Sequence, residues 1–235
     1  IRPETRMLMI NSPNNPTGSV YSRETIEAIA DICRRHDLWL VSDEVYWTLA
    51  AGREHVSPRS LPGMKERTLV VNSLSKSHGM TGWRLGWLTA PEHVIRMLVN
   101  LNIVSSYGMA DFISHAAVEA VERRHGVDDI AARYKARRKI FMDALADAEN
   151  IVIRGSEGAM YVMLDVSAIE PDAETFAWAL LDAEQVAALP GTSFGQAAQG
   201  HLRFSMCQEE ELLKTAAERI RRFAANYVKR ADAAE

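Results

Sequence analysis

Cysteine is scarce in this chain: Cys33 and Cys207 are the two in 235 residues. A disulfide framework normally uses more of them, so a reducing, cytoplasmic setting is the simpler reading. Long apolar runs are missing too. None reaches the ~18 residues that a membrane-spanning helix needs, and no secretory signal peptide is visible. Positive charge is not in excess, with 27 Lys and Arg against 31 Asp and Glu. That balance leaves no footprint for nucleic acid and no polybasic patch for a membrane surface. Repeats and low-complexity segments are absent, and the seven histidines are scattered without metal-ligand spacing. What is present is an ordinary globular composition, 47% hydrophobic and 25% charged, which argues against disorder over most of the length. The chain opens on "IRPETRMLMI" rather than Met, like text from the middle of a protein, so further residues are expected upstream.

Short apolar runs alternate with helical patterns through the first half. Residues 6–10, 38–42, 68–72 and 85–89 read as strands. Residues 22–36 read as a helix with Ser22 as its N-cap and Ile26, Ile29, Ala30 and Cys33 on one face. Continuous apolar strands fit a sheet covered on both faces, the α/β signature. Helices are then expected over 91–104, with Pro91 in the first turn, and over 109–124 and 127–148. The last third mixes strands at 151–154, 161–166, 186–190 and 201–205 with helices at 173–183 and 209–228. This predicts a large domain over 1–125 and a small α+β domain over 126–235. The tail "KRADAAE" reads as frayed.

Four segments carry chemistry, each at a strand end, where open α/β sheets bind ligands. "NSPNNPTG" (11–18) turns on Pro13, Pro16 and Gly18 and projects Asn15, whose amide can donate to a ring oxygen. It also reads as a plain Asn-Pro turn. "SDEVY" (42–46) ends a strand on Asp43, with Tyr46 three residues on. A carboxylate there needs something positive, such as a protonated pyridine nitrogen, or else it caps the next helix. "NSLSKSHGMTGWRLGW" (72–87) sets Lys76 among hydroxyl residues directly after a strand, a poor place for a solvated charge. Burial or neighbouring charge makes a lysine amine nucleophilic. Ser73, Ser75 and Ser77 offer hydroxyls to a phosphate, and Arg84 offers a guanidinium fork. The P-loop spacing is absent. "GHLRFSM" (200–206) puts Arg203 in an apolar strand pattern, facing the same way as His201 and Ser205. It is either an edge charge or a carboxylate clamp.

In this order, "NNPTG", "SDEVY", "SLSKSHGMTGWRLG" and "HLRFS" resemble the class I/II aminotransferases of pyridoxal phosphate (PLP) fold type I, over nearly the whole chain. The resemblance implies the C-terminal part of the large, mainly parallel-sheet domain plus a small α+β domain. It implies PLP as cofactor, amino acids and 2-oxo acids as substrates, and a homodimer. Lys76 matches the lysine that forms the Schiff base and shuttles the proton. Asp43 matches the partner of the pyridine nitrogen, and Asn15 and Tyr46 the donors to the phenolic oxygen. Ser73 and Arg84 match phosphate ligands, and Arg203, with Asn15, the grip on the substrate carboxylate. The N-terminal segment of the family, with its phosphate turn, ring-stacking aromatic and dimer-donated tyrosine, has no counterpart in these residues.

The resemblance implies ping-pong transfer of an amino group. Two other activities use the same residues: C–S β-elimination, and ligand sensing by an aminotransferase-like domain of a transcription regulator. Several further features have plain readings. His78 reads as solvated although it lies near Lys76. "RYKARRKI" (133–140) reads as a solvated helix face. Trp83 and Trp87 read as core or interface packing, and Met160 and Met163 as core.

Overall fold

The computed structural model describes residues 1–124 and 126–232. The chain forms two units. The first comprises residues 1–13 and 20–131, and the second residues 14–19 and 132–235. The division therefore falls six residues beyond the boundary drawn at 125, inside a helix, and the "NNPTG" turn groups with the second unit.

In the first unit, β1 (Met7–Asn11), β2 (Trp39–Asp43) and β3 (Thr68–Ser73) pair in parallel in that order, and β4 (Gly86–Thr89) closes the sheet antiparallel to β3. Helix α1 (Arg23–Arg35) links β1 to β2. Its start is fixed as the sequence predicts, since Ser22 Oγ accepts from the Thr25 amide at 3.2 Å. Ile26, Ala30 and Cys33 are buried, and Ala30 and Cys33 pack with Leu38, Leu40 and Met64. Ile26, Leu38, Leu40 and Met64, taken fully from water, contribute roughly 1.5–3 kcal/mol each. The expectation of a sheet buried on both faces holds on one face only. Leu40 and Ser42 of β2 are buried, while Trp39, Val41 and Asp43 are half-buried and β1 and β4 have no fully buried residue. After the four-residue α2 (Leu74–Ser77) come α3 (Glu92–Ser106) and α4 (Asp111–Arg123), neither with a buried residue. Pro91 stands at the N-cap of α3 rather than in its first turn. Its extended backbone presents the carbonyl to the amides of Val94 and Ile95.

Helix α5 (Val127–Leu145) starts in the first unit and continues into the second. There β5 (Val152–Arg154), β6 (Tyr161–Asp165), β7 (Leu189–Pro190) and β8 (His201–Ser205) make an antiparallel sheet in the order β5-β6-β8-β7. Helices α6 (Ala173–Glu184) and α7 (Glu210–Asp232) complete it. Phe141, Val162, Leu164, Phe176, Leu180, Leu202 and Phe223 share one core, and the expected core residues Met160 and Met163 are buried. The strand expected over 186–190 shrinks to its last two residues. Gln185 ends α6 in the left-handed region, and Pro190 has no amide to extend a ladder. Of the tail read as frayed, α7 takes the chain to Asp232; residues 233–235 lie outside the described residues.

The basic stretch 133–140 is a solvated face only in part, at Arg133, Lys135 and Lys139. Arg137 and Arg138 are buried, Arg137 paired with Glu209 at 3.0 Å and Arg138 donating to the Ala159 carbonyl. Burial pushes the Arg138 pKa down to about 10. Trp83 and Trp87 are exposed, so neither is core here. No helix among the described residues is long and apolar enough to cross a membrane.

Candidate functional site

The first unit carries five of the expected residues. Asp43 is the last residue of β2, half-buried, directly across from Asn11, whose Nδ2 donates to the Asp43 carbonyl at 3.1 Å. Asp43 Oδ1 accepts from the Val45 amide at 3.1 Å. It thus closes a local turn rather than capping an α-helix. Among the described residues its carboxylate meets no cation, a costly state for a half-buried charge. Tyr46 follows, buried, with its ring centroid 5.9 Å from Lys76 Nζ. Lys76 lies in α2, directly after β3, and is half-buried; its ammonium has no hydrogen bond or ion pair among the described residues.

Ser73 ends β3 and caps α2. Its Oγ accepts from the Ser75 amide at 3.0 Å and donates to the Leu85 carbonyl at 2.8 Å. A phosphate would compete with Leu85 for that proton. Arg84 is exposed in the left-handed region at φ 52°, with Nη1 on the Thr81 carbonyl at 2.8 Å. Gly86 lies so close to Asn72 that a Cβ would stand 2.8 Å from its carbonyl oxygen, so a side chain there would push the two strands apart.

His78 is not simply solvated. Its Nε2 faces the Ala120 carbonyl at 3.1 Å and its Nδ1 the Ser77 hydroxyl at 2.8 Å. A carbonyl needs a donor, so Nε2 carries a proton. The ring ties α2 to α4. Sequence reasoning also passed over Glu44. This buried carboxylate accepts from Ser42 Oγ at 2.9 Å and Ser57 Oγ at 2.7 Å, and lies 3.1 Å from His55 Nε2. The usable signal was its place between Asp43 and Tyr46 in a segment leaving a buried strand.

The second unit carries Asn15 and Arg203. Arg203 is on β8, flanked by β6 and β7, so it is not an edge charge. Its guanidinium carbon lies 4.3 Å from the Tyr161 ring centroid and 4.6 Å from that of Phe194. Neither ring was foreseen, because their spacing from Arg203 is set only by the sheet and the loop after β7. Nη1 donates to Asn15 Oδ1 at 2.7 Å, and Nε is buried without an acceptor among the described residues. Arginine only donates, so the amide oxygen of Asn15 must face it. The turn that holds Asn15 is rigid. Thr17 donates twice to Asn14 Oδ1, at 3.1 Å from its amide and 2.8 Å from its hydroxyl. The turn docks on 155–158 through Ser156 N to Thr17 O at 3.1 Å and Gly158 N to Gly18 O at 2.7 Å.

The structure thus brings Lys76 beside Tyr46, and Asn15 beside Arg203. The donor set fits PLP: among the described residues an amine without a counter-charge and a carboxylate without a cation in one unit with a buried phenol, and hydroxyl and guanidinium groups for a phosphate. The orphaned Nε of Arg203 fits a carboxylate.

A family model described as aminotransferase class I and II matches residues 1–220. An arginine–pyruvate transaminase of Pseudomonas aeruginosa is 43% identical over 221 residues, which are 94% of this chain and 56% of that protein. An aspartate/prephenate aminotransferase of Thermus thermophilus is 40% identical over 94% of this chain and 57% of its own length. Among solved structures, the aromatic aminotransferase of Pyrococcus horikoshii superposes with a TM-score of 0.91 at 36% identity, covering 95% of this chain and 61% of that one. The chain spans a little over half the length of the curated relatives it matches.

Proposed function

The chain belongs to the class I and II aminotransferases, and on that premise we propose that it carries the lysine-bearing part of a PLP-dependent transaminase active on amino acids and 2-oxo acids. The observation that carries this reading is Lys76: a half-buried amine with no counter-charge among the described residues, beside a buried tyrosine, in the short helix that follows β3. The fold is α/β, PLP fold type I, as the structural relatives are.

When bound, the cofactor supplies an electron sink for the carbanion formed at the substrate Cα. The chain supplies the rest. Lys76 Nζ would be the covalent anchor. Its amine would also serve as the general base and then acid for the substrate Cα proton. Asp43 would keep the ring nitrogen protonated. Tyr46 would donate to the phenolic oxygen. Ser73 and Arg84 would hold the phosphate, with Ser73 redirecting the proton it gives to Leu85. Arg203 would clamp the substrate carboxylate, its guanidinium in contact with two rings. We assign the assembled protein to the cytoplasm as a homodimer.

The test is kinetic. The full protein loaded with PLP should release one equivalent of 2-oxo acid from its amino donor before any acceptor is added, and show parallel double-reciprocal plots. Release of pyruvate and ammonia from cystathionine without net transfer would replace this reading with C–S elimination.

A further inference from the structure

Glu44 has no part in the proposed chemistry, yet it stands between two residues that do. In an extended strand successive side chains point to opposite faces. Ser42 and Glu44 share the buried face, and Asp43 points to the other. Glu44 therefore lies on the face opposite to that of Asp43. Among the described residues of the unit it is the one buried acidic or basic side chain, and its partners are the Ser42 and Ser57 hydroxyls, both on Oε1, and His55 on Oε2. Two of these come from residues 55–57, eleven and thirteen positions on in the chain. The Glu44 backbone is fixed as well. Its amide donates to the Val71 carbonyl at 3.0 Å, and its carbonyl accepts from the Trp47 amide at 2.9 Å. Tyr46 lies inside that turn and begins the next one, where the Leu49 amide donates to its carbonyl at 2.8 Å.

We infer that Glu44 is a positioning residue whose buried carboxylate clamps the exit of β2 to residues 55–57 and so fixes the Tyr46 hydroxyl against the cofactor's phenolic oxygen. Through that hydroxyl it sets the proton affinity of the nitrogen that Lys76 contributes to the cofactor link. The inference rests on the proposed roles of Lys76 and Tyr46. The partners are hydroxyls and one imidazole, with no lysine or arginine, so the clamp depends on acceptor geometry. A glutamine can reproduce it: its oxygen accepts from both serines, and its amide donates to His55 Nε2 in the other tautomer.

The experiment uses the full protein loaded with PLP, comparing wild type, Glu44→Gln and Glu44→Ala. The pH midpoint of the visible absorbance of the lysine-linked cofactor is read beside the melting temperature of the apoprotein. Losing the Tyr46 donor leaves the phenolic oxygen more basic and the linked nitrogen harder to deprotonate. Glu44→Ala should raise the midpoint by about one pH unit, roughly tenfold in proton affinity, with Glu44→Gln close to wild type. Ser57→Ala removes one hydroxyl and keeps Glu44, and should move the midpoint the same way by about half a unit. It carries the test if Glu44→Ala does not fold. A lowered melting temperature with an unmoved midpoint would overturn the inference, leaving Glu44 a purely structural group. A Glu44→Gln shift as large as that of Glu44→Ala would also overturn it, because charge rather than geometry would then act. A wild type with no reducible adduct on Lys76 would sink the functional reading and this inference together. A wild-type adduct with flat variants sinks the inference alone.

Discussion

Arg203 Nη1 reaches Asn15 Oδ1 at 2.7 Å, joining residues 188 positions apart in the chain. The contact occupies one end of the guanidinium and leaves the buried Nε without an acceptor. A planar fork in contact with Tyr161 and Phe194 suits a two-point grip on a carboxylate, which an ammonium cannot copy. Arg203→Lys should lower kcat/KM for the amino acid by roughly 10- to 100-fold, the worth of one or two hydrogen bonds to a charged group. Most of the loss should appear in KM, and steady-state kinetics check it. A variant with wild-type KM would remove Arg203 from substrate binding.

The turn that carries Asn15 depends on Gly155. This residue has φ +68°, and a Cβ there would stand 2.4 Å from the Thr17 carbonyl oxygen. Gly155→Ala should therefore lift residues 14–19 from their dock. Stability should fall by about 1–2 kcal/mol from the left-handed backbone alone, and KM should rise as Asn15 leaves Arg203. Denaturant melts and kinetics on the same variant read both effects.

Arg138 shows how a helix pattern can mislead. Its buried guanidinium serves the Ala159 carbonyl, one residue from β6 by way of Met160. Arg138→Ala leaves that carbonyl unsatisfied and opens a void, so the second unit should lose roughly 2–4 kcal/mol. The exposed neighbour Lys139, paired with Asp143 at 2.6 Å on the surface, should tolerate alanine with little change. Thermal unfolding of the two variants separates them.

Acid stability has a named contributor in Asp165. Burial tends to raise its pKa, but hydrogen bonds from Ser167 and Arg154 and the nearby His201 outweigh it and hold the carboxyl below its usual range. The folded carboxyl binds its proton less tightly than the unfolded one. Its stabilisation is complete above the unfolded value of about 3.9 and is lost as pH falls through the lower folded value. Asp165→Asn should flatten the acid limb of the stability curve below about pH 4 and leave its shape above that unchanged. Urea melts from pH 2 to pH 7 would show it, those limits being about the range in which carboxyls titrate.

The parallel strands and the strand ends that place the candidate residues were legible for physical reasons. Strand ends at Asp43 and Ser73 follow from apolar runs giving way to polar residues, and Ser22 announces α1 through its hydroxyl. What was not legible depends on long-range packing. Arg137 and Arg138 look like surface charges until β6 and its approach supply a carbonyl and a cover. Glu44 looks like a strand-end charge until the segment at His55 and Ser57 folds over it. The two rings around Arg203 come from β6 and from the loop after β7, with no sequence spacing to announce them. Two-sided burial of the first sheet was inferred from apolar strands, but α1 covers only one face among the described residues.

The central claim is that Lys76 forms the covalent bond to the cofactor. The full protein would be titrated with PLP, reduced with borohydride, digested and mapped by mass. The account predicts a visible band that borohydride bleaches, with the reduced pyridoxyl adduct on Lys76 and none in Lys76→Ala. A folded protein that binds PLP but bears the adduct on another lysine, or on none, would contradict it.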